Sequence, residues 1–152
     1  MLRKLMQTEE DGGMLIVRLA LGIVIFPHGA QKLLGWFGGP GFSATMKGMT
    51  SMGMPAALVA LVIFCEFFGS LALIFGFLGR LGALGILAVM VGAIFMVHLH
   101  NGFFMNWMGN QKGEGFEYHI LAIGIALAVL VKGSGSLSID RSMSDKSRYY
   151  LR

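Results

Sequence analysis

The stretch PAALVALVIFCEFFGSLALIFGFL, residues 55–78, holds one charged residue, Glu66, in 24 positions. A run of about 20 apolar residues is long enough for an α-helix to cross the hydrocarbon core of a bilayer. The opening proline is tolerated at a helix start, where its missing N–H costs little. Three more apolar runs occur in the chain. The sequence therefore predicts four transmembrane helices, at about residues 14–34, 55–78, 81–99 and 116–131.

The composition of the whole chain supports this prediction. Hydrophobic residues make up 55% of the 152 residues and charged residues only 13%, whereas soluble domains carry about 25% charged residues. The single cysteine, Cys65, excludes an intramolecular disulfide and any paired-cysteine metal motif. The net charge of +4 does not indicate nucleic-acid binding, because the basic residues lie mostly outside the apolar runs.

The distribution of these basic residues predicts the topology. Four spans place both termini on one side, and the side with more Lys and Arg faces the cytoplasm. That side has Arg3, Lys4, Arg80, Lys132, Arg141, Lys146, Arg148 and Arg152, against Lys32, Lys47 and Lys112 on the other. We therefore expect an all-α, antiparallel four-helix membrane bundle with cytoplasmic termini. Its parts are a polar segment (1–13), the membrane domain (14–131) and a flexible cytoplasmic tail (132–152).

Small residues and span length refine this prediction. Glycines at 76, 79, 82 and 85 surround the short break between spans two and three, and small residues let membrane helices approach closely. We expect these two spans to form a tight hairpin. The fourth span is the shortest, and it has Glu117 and His119 in its first turn.

Ionisable residues inside spans are rare and often functional. Arg18, His28 and Lys32 fall on one stripe of span one, given about 100° per residue. Glu66 lies near the middle of span two, and a buried carboxylate needs a partner, for which Arg18 and His28 are the candidates. One interpretation is a buried ion pair that fixes the helix register. The other is a carboxylate that handles protons or anchors a ligand.

All four histidines map to the half of the membrane opposite the termini: His28, His98, His100 and His119. Three interpretations are open, namely solvated interfacial histidines, a site for a small polar headgroup, and a metal or haem site built between bundle helices. The loop before span two has Met46, Met49, Met52 and Met54. An interfacial amphipathic helix explains that spacing better than a Cu(I) site does, although thioethers bind Cu(I).

Four segments in order resemble the DoxX family of small bacterial membrane proteins, over about residues 17–140. They are RLALG…FPHGAQKLLGWFGG from Arg18, CEFFGSLALIFGFLGR from Cys65, NGFFMNWMGNQKGEGFEYH from Asn101, and GSGSLSID ending at Asp140. The resemblance implies a four-helix bundle in the bacterial inner membrane. It also implies a link to quinol oxidases and thiosulfate:quinone oxidoreductases, although many members have no assigned reaction.

Residues and resemblance together predict a site for a quinone, a quinol or a similar aromatic. Its carbonyls need donors, and its reduced oxygens exchange protons with groups tuned by burial. The candidate binding residues are Arg18, His28, Lys32, Glu66, His98, Glu117 and His119. No ligand set for a redox centre is present, so we expect a subunit that works with a redox enzyme or a second copy, and we assign no catalytic residue. The alternatives are a non-catalytic scaffold or permease, and an outward-facing copper or haem site.

Overall fold

The computed structural model describes residues 5–149, which form six α-helices and no strand. Arg3, Lys4 and Arg152, which the topology prediction used, lie outside this range. The helices are α1 (Gly12–Leu34), α2 (Gly41–Ser51), α3 (Ala56–Phe75), α4 (Gly79–Ala93), α5 (Glu117–Lys132) and α6 (Ile139–Tyr149). A π-helical turn (Ile94–His98) and a 3-10 turn (Leu99–Asn101) extend α4.

Three segments are long and apolar enough to cross a membrane: α1, α3 and Gly79–Asn101. Only 39%, 33% and 28% of the residues in their most apolar windows are buried, so most of these apolar side chains face outward. A hydrocarbon solvent removes the cost of that exposure. The all-α prediction is confirmed, with three candidate spans. Helix α5 has 16 residues and a length of about 24 Å, below the bilayer core of about 30 Å.

Helices α1, α3, α4 and α5 pack side by side in a closed ring around an apolar core. Helix α1 begins and α5 ends at the same end of this ring, which we call the terminal end; the opposite end is the distal end. Helix α2 lies at the distal end against α1 and α3. It is attached by the Thr45 hydroxyl, which donates to the Lys32 carbonyl (3.3 Å), and by Phe42, whose ring centroid is 6.3 Å from that of Phe64.

Glycines allow the α3 and α4 backbones to touch near the terminal end. A Cβ built on Gly82 would lie 2.8 Å from the Gly69 carbonyl oxygen, a distance that real side chains do not reach. Gly76 ends α3 at φ 62°, a left-handed conformation that suits glycine. The predicted close hairpin is therefore present, and its tightest contact lies at Gly69 and Gly82.

The segment after α5 packs onto the terminal end. Ser134, Ser138 and Asp140 are buried in it. The Asp140 N–H donates to the Gly76 carbonyl (2.8 Å), and the Ser136 N–H donates to the Asp11 carbonyl (3.1 Å). The sequence led us to expect a flexible tail from residue 132. Residues 133–140 instead close this end of the bundle, because their backbone and hydroxyl groups find partners there.

Candidate functional site

A cavity of about 460 Å³ lies in the distal half of the bundle, bounded by α1, α3, α4 and α5. Its walls are mostly apolar. Ligand pockets commonly combine apolar walls with a few placed polar groups. The polar residues that line it are His28, Lys32, Glu66, His98, Glu114, Tyr118 and His119. Five of the seven residues that the sequence nominated for binding therefore share one cavity, and Arg18 and Glu117 do not.

An ion pair between α1 and α3 forms one side of the cavity. The Lys32 Nζ lies 2.5 Å from the Glu66 Oε2, and the side chains are 26% and 7% exposed. Gly29 allows this contact, because a Cβ there would lie 2.7 Å from the Glu66 carbonyl carbon. The sequence offered Arg18 or His28 as the partner of Glu66. The structure corrects this to Lys32, which follows Gly29 by one turn on the stripe facing α3.

Two histidines from α4 and α5 meet at the cavity, with the ring centroids of His98 and His119 4.1 Å apart. The His98 Nδ1 lies 2.8 Å from the Glu114 carbonyl oxygen, so this nitrogen carries the proton and donates it. The π-helical turn Ile94–His98 departs from regular α geometry next to this site, as π-turns often do at functional sites. His100 does not line the cavity.

Two polar atoms beside the cavity have no hydrogen-bond partner in the described part of the chain. They are the Tyr118 hydroxyl and the His119 Nδ1, both fully shielded from solvent. A buried polar group without a partner costs about 1–3 kcal/mol. A ligand in the cavity would remove this cost once the two side chains turn toward it, because neither atom is open to a water molecule in the present arrangement.

Arg18 has a different environment, at the terminal end. It is 1% exposed, and within residues 5–149 the guanidinium donates to five backbone carbonyls. The five acceptors, at 2.7–3.2 Å, belong to Leu73, Ile74, Ser134, Ser136 and Leu137. These carbonyls lie in the last turns of α3 and in the segment after α5. Arg18 thereby ties α1 to both, away from the cavity.

Asp140 completes this terminal-end network. Its carboxylate accepts from the Leu78 N–H (2.8 Å), the Gly79 N–H (3.0 Å) and the Ser134 hydroxyl (2.6 Å). The two N–H groups open α4, so a residue far along the chain caps this helix. The family-like segment GSGSLSID is thus built into the packing of the fold.

Glu117 holds the loop between α4 and α5. Its carboxylate accepts from the Met105 N–H (2.9 Å) and the Trp107 Nε1–H (3.4 Å). It borders a shallow apolar depression outside the main cavity, together with Trp107 and Leu121. Its contacts indicate that it positions the loop residue Met105, which does line the main cavity.

Sequence reasoning missed several lining residues. Tyr118 stands between two nominated residues and could have been nominated with them. Sequence reasoning noted Met49 and Met54 but assigned them to an interfacial helix, and it did not nominate Met90, Met96 or Met105. All five methionines line the cavity. Methionine adapts its shape and packs well against aromatic rings. No group of three or more His, Cys, Asp or Glu residues suited to hold a metal ion occurs within residues 5–149.

Comparison with known proteins identifies the family. The DoxX family matches residues 13–99. "Inner membrane protein YqjF" of Escherichia coli (strain K12) is 31% identical over 141 residues, which cover 93% of this chain and 99% of that protein. "Putative oxidoreductase CatD" of Bacillus subtilis (strain 168) is 30% identical over 128 residues, 84% of each chain. No solved structure matches significantly.

These matches agree with the residue patterns that carried the resemblance and with the apolar helices of the structure. The family match covers α1, α2 and α3 and nearly all of the extended α4, and thus the Lys32–Glu66 pair and His98. The two relatives extend over most of the remaining chain. The chain is a membrane protein of the DoxX family.

Proposed function

We propose that the distal cavity binds a quinone, a quinol or a similar aromatic molecule, and that the chain serves as a membrane subunit of a redox system. The observation that carries the proposal is the pair of unpartnered polar atoms, the Tyr118 hydroxyl and the His119 Nδ1, beside an apolar cavity of about 460 Å³. Such a cavity offers an aromatic ring both apolar contact and hydrogen bonds.

The donor set suits a ring with two oxygens. Tyr118 donates to a carbonyl oxygen, and Lys32 supplies a cationic donor that Glu66 holds in place. His119, in either tautomer, donates to a carbonyl or accepts from a hydroxyl. His28 and Glu66 lie on the same cavity and provide further proton-exchanging groups. The bound quinone supplies the electron-accepting chemistry, and the chain's residues bind it and exchange its protons.

The redox assignment draws on the name of the Bacillus subtilis relative, "Putative oxidoreductase CatD". Among residues 5–149 we find no group of three or more metal-ligating side chains. We therefore assign the electron donor to a partner protein or to the bound substrate itself. Placement in the bacterial inner membrane follows the name of the Escherichia coli relative, which is called an inner membrane protein.

The test is direct binding in lipid nanodiscs. The probe is a benzoquinone with two methoxy and two methyl groups. Its ring is fully substituted, so the Cys65 thiol finds no open ring carbon to add to. We expect saturable binding to the wild type. Tyr118→Phe and His119→Ala should each weaken it about fivefold, the equivalent of one hydrogen bond of about 1 kcal/mol.

His100→Ala is the matched control, because His100 is an exposed histidine that does not line the cavity. Its affinity for the probe should equal that of the wild type. Quinone extracted from protein purified in mild detergent provides a second measurement. If no quinone copurifies and the probe shows no saturable binding, the proposal is wrong.

The proposal includes a topology of four spans with cytoplasmic termini. Helix α5 packs in the ring as a fourth member, and its length of 16 residues requires a thinned bilayer or an interfacial first turn. The test replaces Cys65 by alanine and introduces one cysteine at Ser144 or at Met108. A membrane-impermeant maleimide should label only the Met108 position in intact cells. Labelling at the Ser144 position would show that the termini face outward, opposite to the proposed orientation.

A second candidate function is a scaffold that docks a partner protein at the distal loop. The observation that favours it is a group of exposed apolar side chains, with Phe104, Trp107 and Met108 67%, 84% and 85% exposed. Replacing Trp107 and Met108 by serine would release a docked redox enzyme from the purified complex and leave quinone binding intact. Methionines line the cavity, so a copper site is a further alternative. The metal content of the purified protein tests it.

A further inference from the structure

The hairpin of α3 and α4 is closed near the terminal end and open toward the distal end. Gly69 and Gly82 bring the two backbones into contact, and a Cβ on Gly85 would lie 3.1 Å from the Cys65 Sγ. Gly92 lies about 10 Å further along α4, where a built Cβ meets no atom within 4 Å. The helices therefore diverge, and the cavity lies in the resulting wedge.

The outer edge of this wedge is open to the side. Four of the apolar residues that line the cavity are also exposed at the surface of the bundle. Two belong to α3 and two to the π-helical extension of α4: Leu58 (36%), Leu61 (56%), Met96 (49%) and Val97 (42%). All four lie inside candidate membrane spans. The opening therefore faces lipid chains.

Most of the polar groups in the cavity lie away from the opening. His28 and Lys32 come from α1 and His119 comes from α5, the two helices away from the opening. Of the polar groups on the other two helices, Glu66 pairs with Lys32 and His98 contacts His119, so both face this inner side. Small residues line the α4 side of the wedge, and Gly92 leaves room along the helix. The cavity thus has a polar inner wall that continues into an apolar cleft. A water-soluble aromatic has no apolar chain that could fill that cleft.

We infer that the ligand carries a long apolar chain, that this chain lies in the cleft between α3 and α4, and that the ligand enters sideways from the distal leaflet. The inference rests on the proposed function, since the polar wall binds the aromatic head. It adds the class of ligand, a membrane-resident amphiphile. The cleft acts by geometry, because a chain attached to a seated head must leave the bundle there. Transfer of the chain from lipid to the cleft gains little hydrophobic energy.

The experiment fills the cleft with a side chain. Gly92→Phe adds bulk where the backbone has space, and Gly124→Phe is the control on α5, where an added Cβ also meets nothing within 4 Å. Two ligands are titrated in nanodiscs: the chainless benzoquinone described above, and the same ring with one methyl replaced by a decyl chain. Empty nanodiscs correct for partitioning into lipid.

We expect Gly92→Phe to weaken binding of the decyl compound about tenfold or more, the scale of an overpacking penalty. Binding of the chainless ring should stay within about twofold, as should both ligands on Gly124→Phe. The inference is overturned if Gly92→Phe leaves decyl binding unchanged or weakens both ligands equally. A wild type that binds the chainless ring but rejects the decyl compound also overturns it, without touching the proposed function. If neither compound binds, the proposed function fails and the inference fails with it.

Discussion

Replacing Arg18 with methionine removes the guanidinium and keeps an unbranched apolar side chain in the core. In the wild type this group is 1% exposed and donates to five backbone carbonyls from two separate segments. The variant removes one donor from each of those carbonyls, of which Leu73 keeps the Gly76 N–H, at a place where α1, α3 and the segment after α5 meet. We expect a loss of stability without a direct effect on the distal cavity.

The magnitude follows from the hydrogen bonds. Bonds to a charged donor contribute about 1.5–3 kcal/mol each, but five bonds to one group are not additive. Burying the guanidinium itself costs several kcal/mol, which offsets part of the gain. Removing the guanidinium takes a donor from five buried carbonyls, at about 1–3 kcal/mol for each one left unsatisfied, with less than additive effects, so we expect Arg18→Met to cost about 3–5 kcal/mol in total. Arg18→Lys keeps the charge but loses the planar fork, so about half that loss is expected.

The assay is reversible unfolding in mixed micelles at increasing dodecyl sulfate, followed by tryptophan fluorescence. Lys47→Met is the matched control, since it removes an exposed cation on α2 and should change stability by less than about 0.5 kcal/mol. Affinity for the chainless benzoquinone is measured on Arg18→Lys and should match the wild type. A stable Arg18→Lys with greatly weakened binding would refute this reasoning. It would restore the ligand-binding role that the sequence suggested for Arg18.

Three further predictions use the same unfolding assay. Gly29→Ala should lower stability by about 1–3 kcal/mol, because its Cβ would press on the α3 backbone, whereas Gly124→Ala should be neutral or stabilising; equal effects would contradict the close approach. Asp140→Asn should cost about 1–3 kcal/mol, since the amide loses one acceptor for the N–H groups that open α4; no loss would remove Asp140 from the cap. Lys32→Met should cost about 3 kcal/mol by leaving the Glu66 carboxylate unpaired, and adding Glu66→Gln should restore about 1 kcal/mol or more; simple additivity would argue against coupling.

The apolar helices could be predicted from sequence because bilayer length and apolar composition are local properties. Residues 14–34 and 55–78 were placed within a few residues of α1 and α3. The tight hairpin followed from the glycines near its turn. The packed segment around Asp140 could not be predicted in this way. Its stability depends on the N–H groups of residues 78 and 79, about sixty positions away. The spacing of polar residues along the sequence does not reveal such distant partners.

The residues that the sequence nominated for one binding site lie in two separate places, for a related reason. Helical periodicity put Arg18, His28 and Lys32 on one stripe. Arg18 is buried, Lys32 is partly buried, and His28 is exposed but lines the distal cavity with Lys32. The residues lie at different positions along the helix and therefore have different partners. Arg18 reaches carbonyls at the terminal end, whereas Lys32 reaches Glu66. The approach of His98 to His119 depends on a π-helical turn that regular periodicity does not predict.

The two ends of the bundle differ in how far their buried polar groups are satisfied. At the terminal end, the Arg18 guanidinium has five acceptors and the Asp140 carboxylate has three donors. At the distal end, Tyr118 and His119 each keep a shielded polar atom without a partner. The Arg80 Nε at the terminal end is also shielded without a partner among residues 5–149, but the other nitrogens of that guanidinium donate to the Leu130, Val131 and Gln7 carbonyls. An unpaired buried polar group costs about 1–3 kcal/mol. The two unsatisfied distal atoms lie on residues that line an apolar cavity, where a bound ligand would offset their cost. This favours a binding role for the distal half of the bundle and a packing role for the terminal half.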